Sequence, residues 1–448
     1  MPAHLIDSGL FGDAYGSAAM RSIFDDRTMV QKWLDFEAAL AEVQGELGIV
    51  PEEAARAIRA AAVVDRFDLE QLAAGIKEVS HPIVPLVRAL EHACEGDAGQ
   101  YVHYGTTTQD VTDTGMVLQA RDALDLLGPR LAALRDRLLD LAREHRDLVM
   151  AGRTHGQQAL PITLGYKFAV LAAELDRHEQ RLRELRPRVL VGELGGAVGS
   201  LASLGSQGIE VQRRLMQRLG LGVPVIAWHT ARDGFAELVN LLAMTGATAG
   251  KVANEVRVLQ RTEVAELEEP NPAGKVGSST MPQKRNPSAA EAVVGIARVL
   301  RQLVPMALDA MVQEHERDMT ARAPEWTAVP EAFVLVGGAL ERCLAILDGL
   351  RVDDRSIARN LDLTGGLLLA EAVMMRLGPR IGKQHAHELL YRVCMGAFER
   401  GVPLREALRE APELEGRLSE DELDGLLDPA GYTGVCAEFV DQVLAGRR

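Results

Sequence analysis

Ile23, Met29, Trp33, Leu34, Phe36, Ala39, Leu40 and Val43 recur among the charged residues of 20–47 at three- and four-residue spacings, a helical rather than a strand period. Gly48 is a stop signal, Pro51 opens the next helix, and another helix is expected over 84–95. From Asp113 the pattern lengthens: Met116, Leu124, Leu127, Leu131, Leu134, Leu138 and Leu141 extend one apolar stripe, with a kink expected at Gly128-Pro129. Similar runs cover 162–188, 233–268, 288–318 and 326–350, far beyond the ~11–12 residues of an average helix. Gly/Pro/Thr-rich joints at 152–161, 192–208 and 270–287 separate them. Five such helices bury their apolar faces against one another, which predicts a bundle. Val/Ile/aromatic alternation is scarce and aromatic content is 4%, so sheet and βαβ folds fit poorly. The pattern predicts an all-α chain of three helical domains: a small one over 1–111, a central five-helix bundle over 112–352, and a third over 353–448, where Asp353-Asp-Arg-Ser-Ile begins a series of shorter helices.

Composition narrows the partners. Sixty-four acidic against 49 basic residues give a formal charge of −15 with no basic block, which argues against a nucleic-acid surface. An acidic exterior still permits a local cationic pocket for an anionic substrate. No run approaches the ~18 apolar residues of a membrane span, and the first residues lack a charged-then-apolar leader, so a cytoplasmic location is expected. Cys94, Cys343, Cys394 and Cys436 lie far apart without zinc-like spacing; reduced thiols are expected, and no metal or cofactor is called for.

The densest polar stretch is Gly277-Ser-Ser-Thr-Met-Pro-Gln-Lys-Arg-Asn-Pro287, preceded by Pro270-Asn-Pro-Ala-Gly274. Its prolines and glycines rule out a helix. Ser288 and Glu291 carry the Ser-x-x-Glu spacing of a capping box, so the loop is expected to feed a helix N-terminus, where backbone N–H groups favour anions. The alternative, a solvated linker, accounts poorly for paired serines, lysine and asparagine packed together. Arg153-Thr-His-Gly-Gln-Gln158 sets His155 on a joint between long helices, where a lone histidine is commonly structural. An imidazole's ordinary pKa of about 6.5 would nonetheless let it give a proton near neutrality. In Thr107-Thr-Gln-Asp110, Asp110 is expected to cap a helix beginning near 111 while the threonines remain free to bind.

The loop at 277–287 resembles the signature loop of the fumarase/aspartase superfamily, whose members form or use a double bond by anti β-elimination or addition on carboxylate substrates. The resemblance implies that Ser278 is the base, with Ser279 in support, and that Lys284 and Asn286 hold substrate carboxylates. Thr107, Thr108 and Gln109 fall in a segment similar to the family's carboxylate-binding Thr-Ser-x-Asp loop, with threonine at 108 where serine is usual. His155 matches the segment that supplies or orients an acid. Val79-Ser-His81-Pro-Ile resembles a substrate-contacting stretch of the adenylosuccinate lyase branch, although a surface turn before Pro82 explains it as well. Gln260-Arg-Thr-Glu263 resembles the same branch, where the glutamine meets substrate and the glutamate sets the histidine; Glu268 and Glu269 read as solvated helix face. Arg317 resembles a carboxylate-binding arginine. The family implies a homotetramer whose bundles form a twenty-helix core and whose active sites draw on several subunits.

Leu10-Phe-Gly-Asp-Ala-Tyr15, Trp228-His-Thr-Ala-Arg-Asp233, Gln313-Glu-His-Glu-Arg317 and Asn360-Leu-Asp-Leu-Thr-Gly-Gly366 resemble bacterial 3-carboxy-cis,cis-muconate cycloisomerases. His155 and Gln260-Arg-Thr-Glu263 instead resemble enzymes that expel nitrogen groups, while residues 1–25 lack the phosphate-contacting segment of adenylosuccinate lyases. The expectation is a C–N lyase acting on a small succinyl-type polycarboxylate and releasing fumarate or a close relative. Cycloisomerase and adenylosuccinate lyase are the alternatives, and an inactive scaffold of the same fold is a distant one.

Overall fold

Sustained helical periodicity becomes helix. A computed structural model of the chain describes residues 3–272, 274 and 278–446 and is all-α apart from two small two-stranded pairings. The long helices are Thr108–Glu144, Leu164–Val189, Asp233–Leu259, Ser288–Asp309 and Arg322–Asp348. The first runs through Gly128-Pro129 as one element. Ahead of them come Asp26–Glu46, capped by the Asp25 carboxylate on the Thr28 N–H at 2.7 Å, then Glu52–Ala61 after Pro51, and Val84–Ala93. After them, the short helices that begin with Asp354–Asp362 reach the C-terminus.

Two of the long elements stop earlier than their apolar runs. The helix expected over 233–268 ends at Leu259; Ala265 then takes a left-handed φ of 53°, and Leu267–Glu268 pairs antiparallel with Arg351–Val352. The helix expected over 288–318 ends at Asp309, and beyond it the Asp318 carboxylate accepts the N–H groups of Glu314 and Thr320. In both places side-chain and cross-strand hydrogen bonds satisfy the backbone in place of helix. The joint at 152–161 is likewise an antiparallel hairpin of Val149–Thr154 and Gln157–Thr163.

The chain forms two compact units, one of residues 1–131, 178–250 and 292–341, the other of 132–177, 251–291 and 342–448. Leu34, Phe36, Leu124, Leu238, Leu300 and Phe333 are buried in the first. Close helix approach there depends on missing side chains: a Cβ on Gly250 would lie 2.6 Å from that of Ala297, and one on Gly246, a turn earlier, would collide with Leu300. In the second unit Leu138, Phe168, Val256 and Leu347 are buried, and a further cluster gathers Val373, Leu377, Leu389, Leu390 and Leu404. No helix among the described residues is long and apolar enough to cross a membrane. All four cysteines are free thiols, and burial pushes that of Cys343 up to about 12.

Candidate active site

In the first unit the chemistry gathers where the helix Thr108–Glu144 begins. Asp110 lies within that helix and its carboxylate reaches backwards, which corrects the expectation of a cap in front of a later start. Its oxygens accept from Thr106 Oγ1 at 3.0 Å, Thr107 N–H at 2.9 Å, the N–H groups of Gly195 and Gly196 at 2.8 and 3.0 Å, and His229 Nε2 at 2.8 Å. Five donors on one buried carboxylate pin the 106–109 turn and the 195–196 turn together. Thr107 and Thr108 are left half-buried, with their hydroxyls beside a helix N-terminus. His81 Nδ1 lies 3.2 Å from the Val84 N–H and accepts it, so Nε2 carries the proton and donates to Thr108 Oγ1 at 3.2 Å. The Thr108 oxygen is then an acceptor in this contact, and its own hydroxyl hydrogen is not used in it. Burial and the charges of Arg322 and His103 lower the His81 pKa, keeping the ring neutral. His103 is half-buried, and although that burial works against its charge, Glu37, which its Nδ1 meets at 2.6 Å, drives its pKa upward.

Beneath this turn Arg232, buried between Asp113 and Glu325, binds both carboxylates through two nitrogens each, at 2.6 to 3.0 Å. Gln109 is spent inside the same framework. Its Nε2 donates to Asp113 and to the His229 carbonyl, and its Oε1 accepts from Arg317 Nε at 2.9 Å. Arg317 also donates to the carbonyls of Ala197 and Gly196. Both residues therefore fasten the 106–109 turn to the 196–197 turn.

Asp110, Glu193 and His229 are the one group among the described residues with the spacing to hold a metal ion, but an ion there would have to displace donors from Asp110. Glu193 is fully buried; one oxygen accepts the Trp228 N–H and the other has no partner among the described residues, and burial raises its pKa to about 7. His229, Asp110 and Asp113 face it. A carboxyl whose folded pKa lies above its ordinary 4.5 contributes stability that is present below pH 4.5 and lost as pH rises to about 7. Glu193→Gln, which imitates the protonated acid, is expected to narrow the difference in melting temperature between pH 5 and pH 8; melts with an unchanged gap would contradict this.

In the second unit His155 and Gly156 are the two central residues of the hairpin turn, at φ 51° and 75°, between the paired Thr154 and Gln157. Two residues at positive φ make the tight turn whose twist suits a hairpin. Asparagine would occupy the first position at less cost than histidine, and His155 is exposed there. Arg153 braces the hairpin with two hydrogen bonds, 2.6 and 2.9 Å, to the fully buried Glu266, which Asn360 Nδ2 also meets at 2.9 Å. Glu263 is exposed in the turn after Leu259.

Ser278 is half-buried, and its Oγ accepts the backbone N–H groups of Met281 at 3.1 Å and Thr280 at 3.3 Å. Two donors aimed at one hydroxyl oxygen favour its ionised form, which is what a serine needs to serve as a base. Ser279 beside it is exposed, and Gly277 lies outside the described residues. The far end of the loop is anchored by Gln260, whose Nε2 donates to the Arg285 carbonyl while its Oε1 accepts the Glu269 N–H. Among the described residues Ser288 and Glu291 do not form a capping box: the Glu291 N–H donates to the Pro287 carbonyl and the Ser288 hydroxyl to that of Asn286. Glu269, 2% exposed rather than solvated, caps the helix Ser288–Asp309 by accepting the N–H groups of Ala289 and Ala290 at 3.1 and 2.9 Å. The anion at that helix N-terminus belongs to the chain itself. Glu268 pairs instead with Arg285 and Arg351. Lys284 and Asn286 line a cleft of about 750 Å³ with Gln260, Arg257 and Arg261, a cationic wall suited to carboxylates.

The chain is helical, with a hydroxyl-bearing turn at a helix N-terminus, an exposed histidine at positive φ and a serine under two N–H donors. The family described as "Lyase" matches residues 15–301, and "Adenylosuccinate lyase C-terminus" matches residues 366–443. The chain belongs to the fumarase/aspartase superfamily and is a lyase of that superfamily. It is 42% identical to N-acetyl-S-(2-succino)cysteine lyase of Dickeya dadantii, over 99% of this chain and 98% of that protein. It is 45% identical to 3-carboxy-cis,cis-muconate cycloisomerase of Pseudomonas aeruginosa, over 97% and 95% of the two chains. Among solved structures, the fumarate lyase of Mesorhizobium sp. BNC1 superimposes with a TM-score of 0.90 at 43% identity, covering 97% of this chain and 99% of that one.

Proposed function

We propose that the enzyme catalyses anti β-elimination on a succinyl-type polycarboxylate, cleaving a C–N bond and releasing fumarate or a close relative. Thr107, Thr108, Lys284 and Asn286 bind carboxylates, and Ser278 takes the proton from the carbon beside one of them. The negative charge that develops on that carboxylate is met by Lys284 and Asn286, and His155 protonates the leaving group as the bond to it breaks. His81 orients Thr108, Ser279 supports the base, Gln260 anchors the loop, and Gln109 and Arg317 hold the binding turn. The observation that carries the reading is the pair of N–H donors on Ser278 Oγ. His155 favours elimination of a basic group over cyclisation, in which a carboxylate leaves or attacks and needs no acid. The likeness to a lyase of a succinylated thiol supports a second reading, C–S cleavage by the same steps.

The proposed assembly is a cytoplasmic homotetramer in which loops of different subunits complete each site, with helical domains at 1–111, 112–352 and 353–448. Light scattering that finds an active monomer would refute it. The reaction is tested by following ultraviolet absorbance near the fumarate band with a panel of N-substituted aspartates, succinate thioethers, adenylosuccinate, argininosuccinate and carboxymuconate. Fumarate from an N-substituted aspartate is the expected result. Fumarate from the thioethers alone establishes the second reading, consumption of carboxymuconate alone establishes the cycloisomerase, and inertness towards all of them leaves the scaffold.

A further inference from the structure

The two strands that carry the His155 turn are held separately, and both holds lead to one buried place. Arg153 and Gln158 face each other across the hairpin, one pair behind Thr154 and Gln157. Arg153 is fixed by both oxygens of Glu266, and Gln158 Nε2 donates to the Asn360 carbonyl at 2.7 Å. Asn360 joins the two holds. It is 3% exposed, and its Nδ2 donates to Glu266 Oε1 at 2.9 Å and to the Val264 carbonyl at 2.7 Å, which uses both amide hydrogens. Its Oδ1 accepts from Arg359 Nε and Nη2 at 3.2 and 3.1 Å, so the amide has one orientation that satisfies both ends. Arg359 Nη2 also donates to the Val264 carbonyl at 2.9 Å, just before the positive φ of Ala265. Glu266 is fully buried, so its charge depends on these donors, and losing one leaves it short of a partner. A hairpin gripped on both strands by one saturated, buried pair cannot pivot about either strand. Its tip is His155, which among the described residues makes no side-chain hydrogen bond of its own, so the hairpin alone aims the imidazole.

We infer that Asn360, Glu266 and Gln158 are positioning residues for His155, a clamp on both strands of the hairpin that sets where the imidazole meets a departing group. The inference rests on the proposed role of His155 as proton donor and extends it to residues that never touch substrate. Proton transfer needs the donor within hydrogen-bond reach, and a misplacement of about 1 Å caused by a distant change can cost about 10²-fold. The clamp therefore acts on turnover rather than on affinity, and only while an imidazole is there to be aimed.

A double-mutant cycle tests it. Asn360→Leu replaces the amide by an apolar group with the same branching, and Gln158→Met removes one grip at a half-buried position while leaving the Glu266 pairs intact. On an N-substituted aspartate, Asn360→Leu is expected to lower kcat by about 10- to 100-fold and Gln158→Met by about threefold, with KM within about twofold. In the His155→Asn background each change should cost less than about twofold. Equal losses in the two backgrounds would overturn the inference, because a residue that only supports the fold depresses both alike. A raised KM with unchanged kcat would overturn it too. If Asn360→Leu does not fold, the Gln158→Met cycle decides by the same criteria. If His155→Asn has no effect on any substrate of the panel, or none is turned over, the proton-donor reading fails by itself and hydrogen exchange decides the clamp separately. Exchange across Val149–Thr163 at least about tenfold faster in the variants than in wild type, with Leu164–Val189 unchanged, supports the clamp, and equal exchange refutes it.

Discussion

Ser278→Ala is expected to lower turnover by about 10²–10⁴-fold, the range supplied by a positioned acid or base, while substrate still binds. The Thr280 and Met281 N–H groups that converge on Ser278 Oγ would then point at nothing, and the proton on the substrate carbon would have no acceptor within the loop. Packing is little affected: Ser278 is half-buried on a loop whose far end Gln260 and Glu269 hold independently. The alanine variant is therefore expected to keep the melting temperature and oligomeric state of the wild type, and calorimetry should show an affinity within a few-fold. A variant that keeps more than about a tenth of the wild-type rate would exclude Ser278 as the base, because loss of a general base costs at least ~10²-fold.

His155→Asn is the second large effect, and it separates the chemistries. Asparagine tolerates the positive φ of the turn, so the hairpin and its Arg153–Glu266 brace should persist and the change should report on the imidazole alone. If His155 gives a proton to a departing amine, turnover of an N-substituted aspartate should fall by about 10²–10⁴-fold with little change in affinity. The loss should shrink for a thiol leaving group, whose anion is far more stable, and should nearly vanish for carboxymuconate. Equal losses across leaving groups of different basicity would mean that His155 positions its neighbours, and C–N cleavage would then lose its main support over cyclisation. Neither substitution removes a buried group, so an unfolded variant would itself contradict the placement of these residues at exposed or half-exposed turns.

The helices and the chemistry-bearing loops could be read from the sequence because both are local. A three- to four-residue apolar period over Asp113–Leu141 or 326–350 is enough to state a helix, and prolines and glycines around Ser278 are enough to deny one. The Ser278 loop, His155 and Thr107–Thr108 stood out because their polar groups are concentrated within a few residues. The hairpin at Val149–Thr163 was hidden because its strands are short and its turn carries histidine in place of the asparagine that would announce it. The early ends of the helices at Leu259 and Asp309 were hidden because apolar spacing continues beyond them, and what stops them is pairing with Arg351–Val352 in one case and a carboxylate beyond the helix in the other.

The fate of the remaining polar groups was a tertiary decision. Asp110 has the sequence look of a cap, yet three of its five donors come from residues 195, 196 and 229. Glu269 sits in a run of charges that looks solvated, and only the fold brings it under the N-terminus of the next helix. Gln109, Gln260 and Arg317 look free to bind substrate until their partners arrive from other elements. The physical reason is common to all of them: apolar periodicity acts between neighbours along the chain, but whether a charge is neutralised or left open to a ligand depends on groups that meet only when distant segments pack.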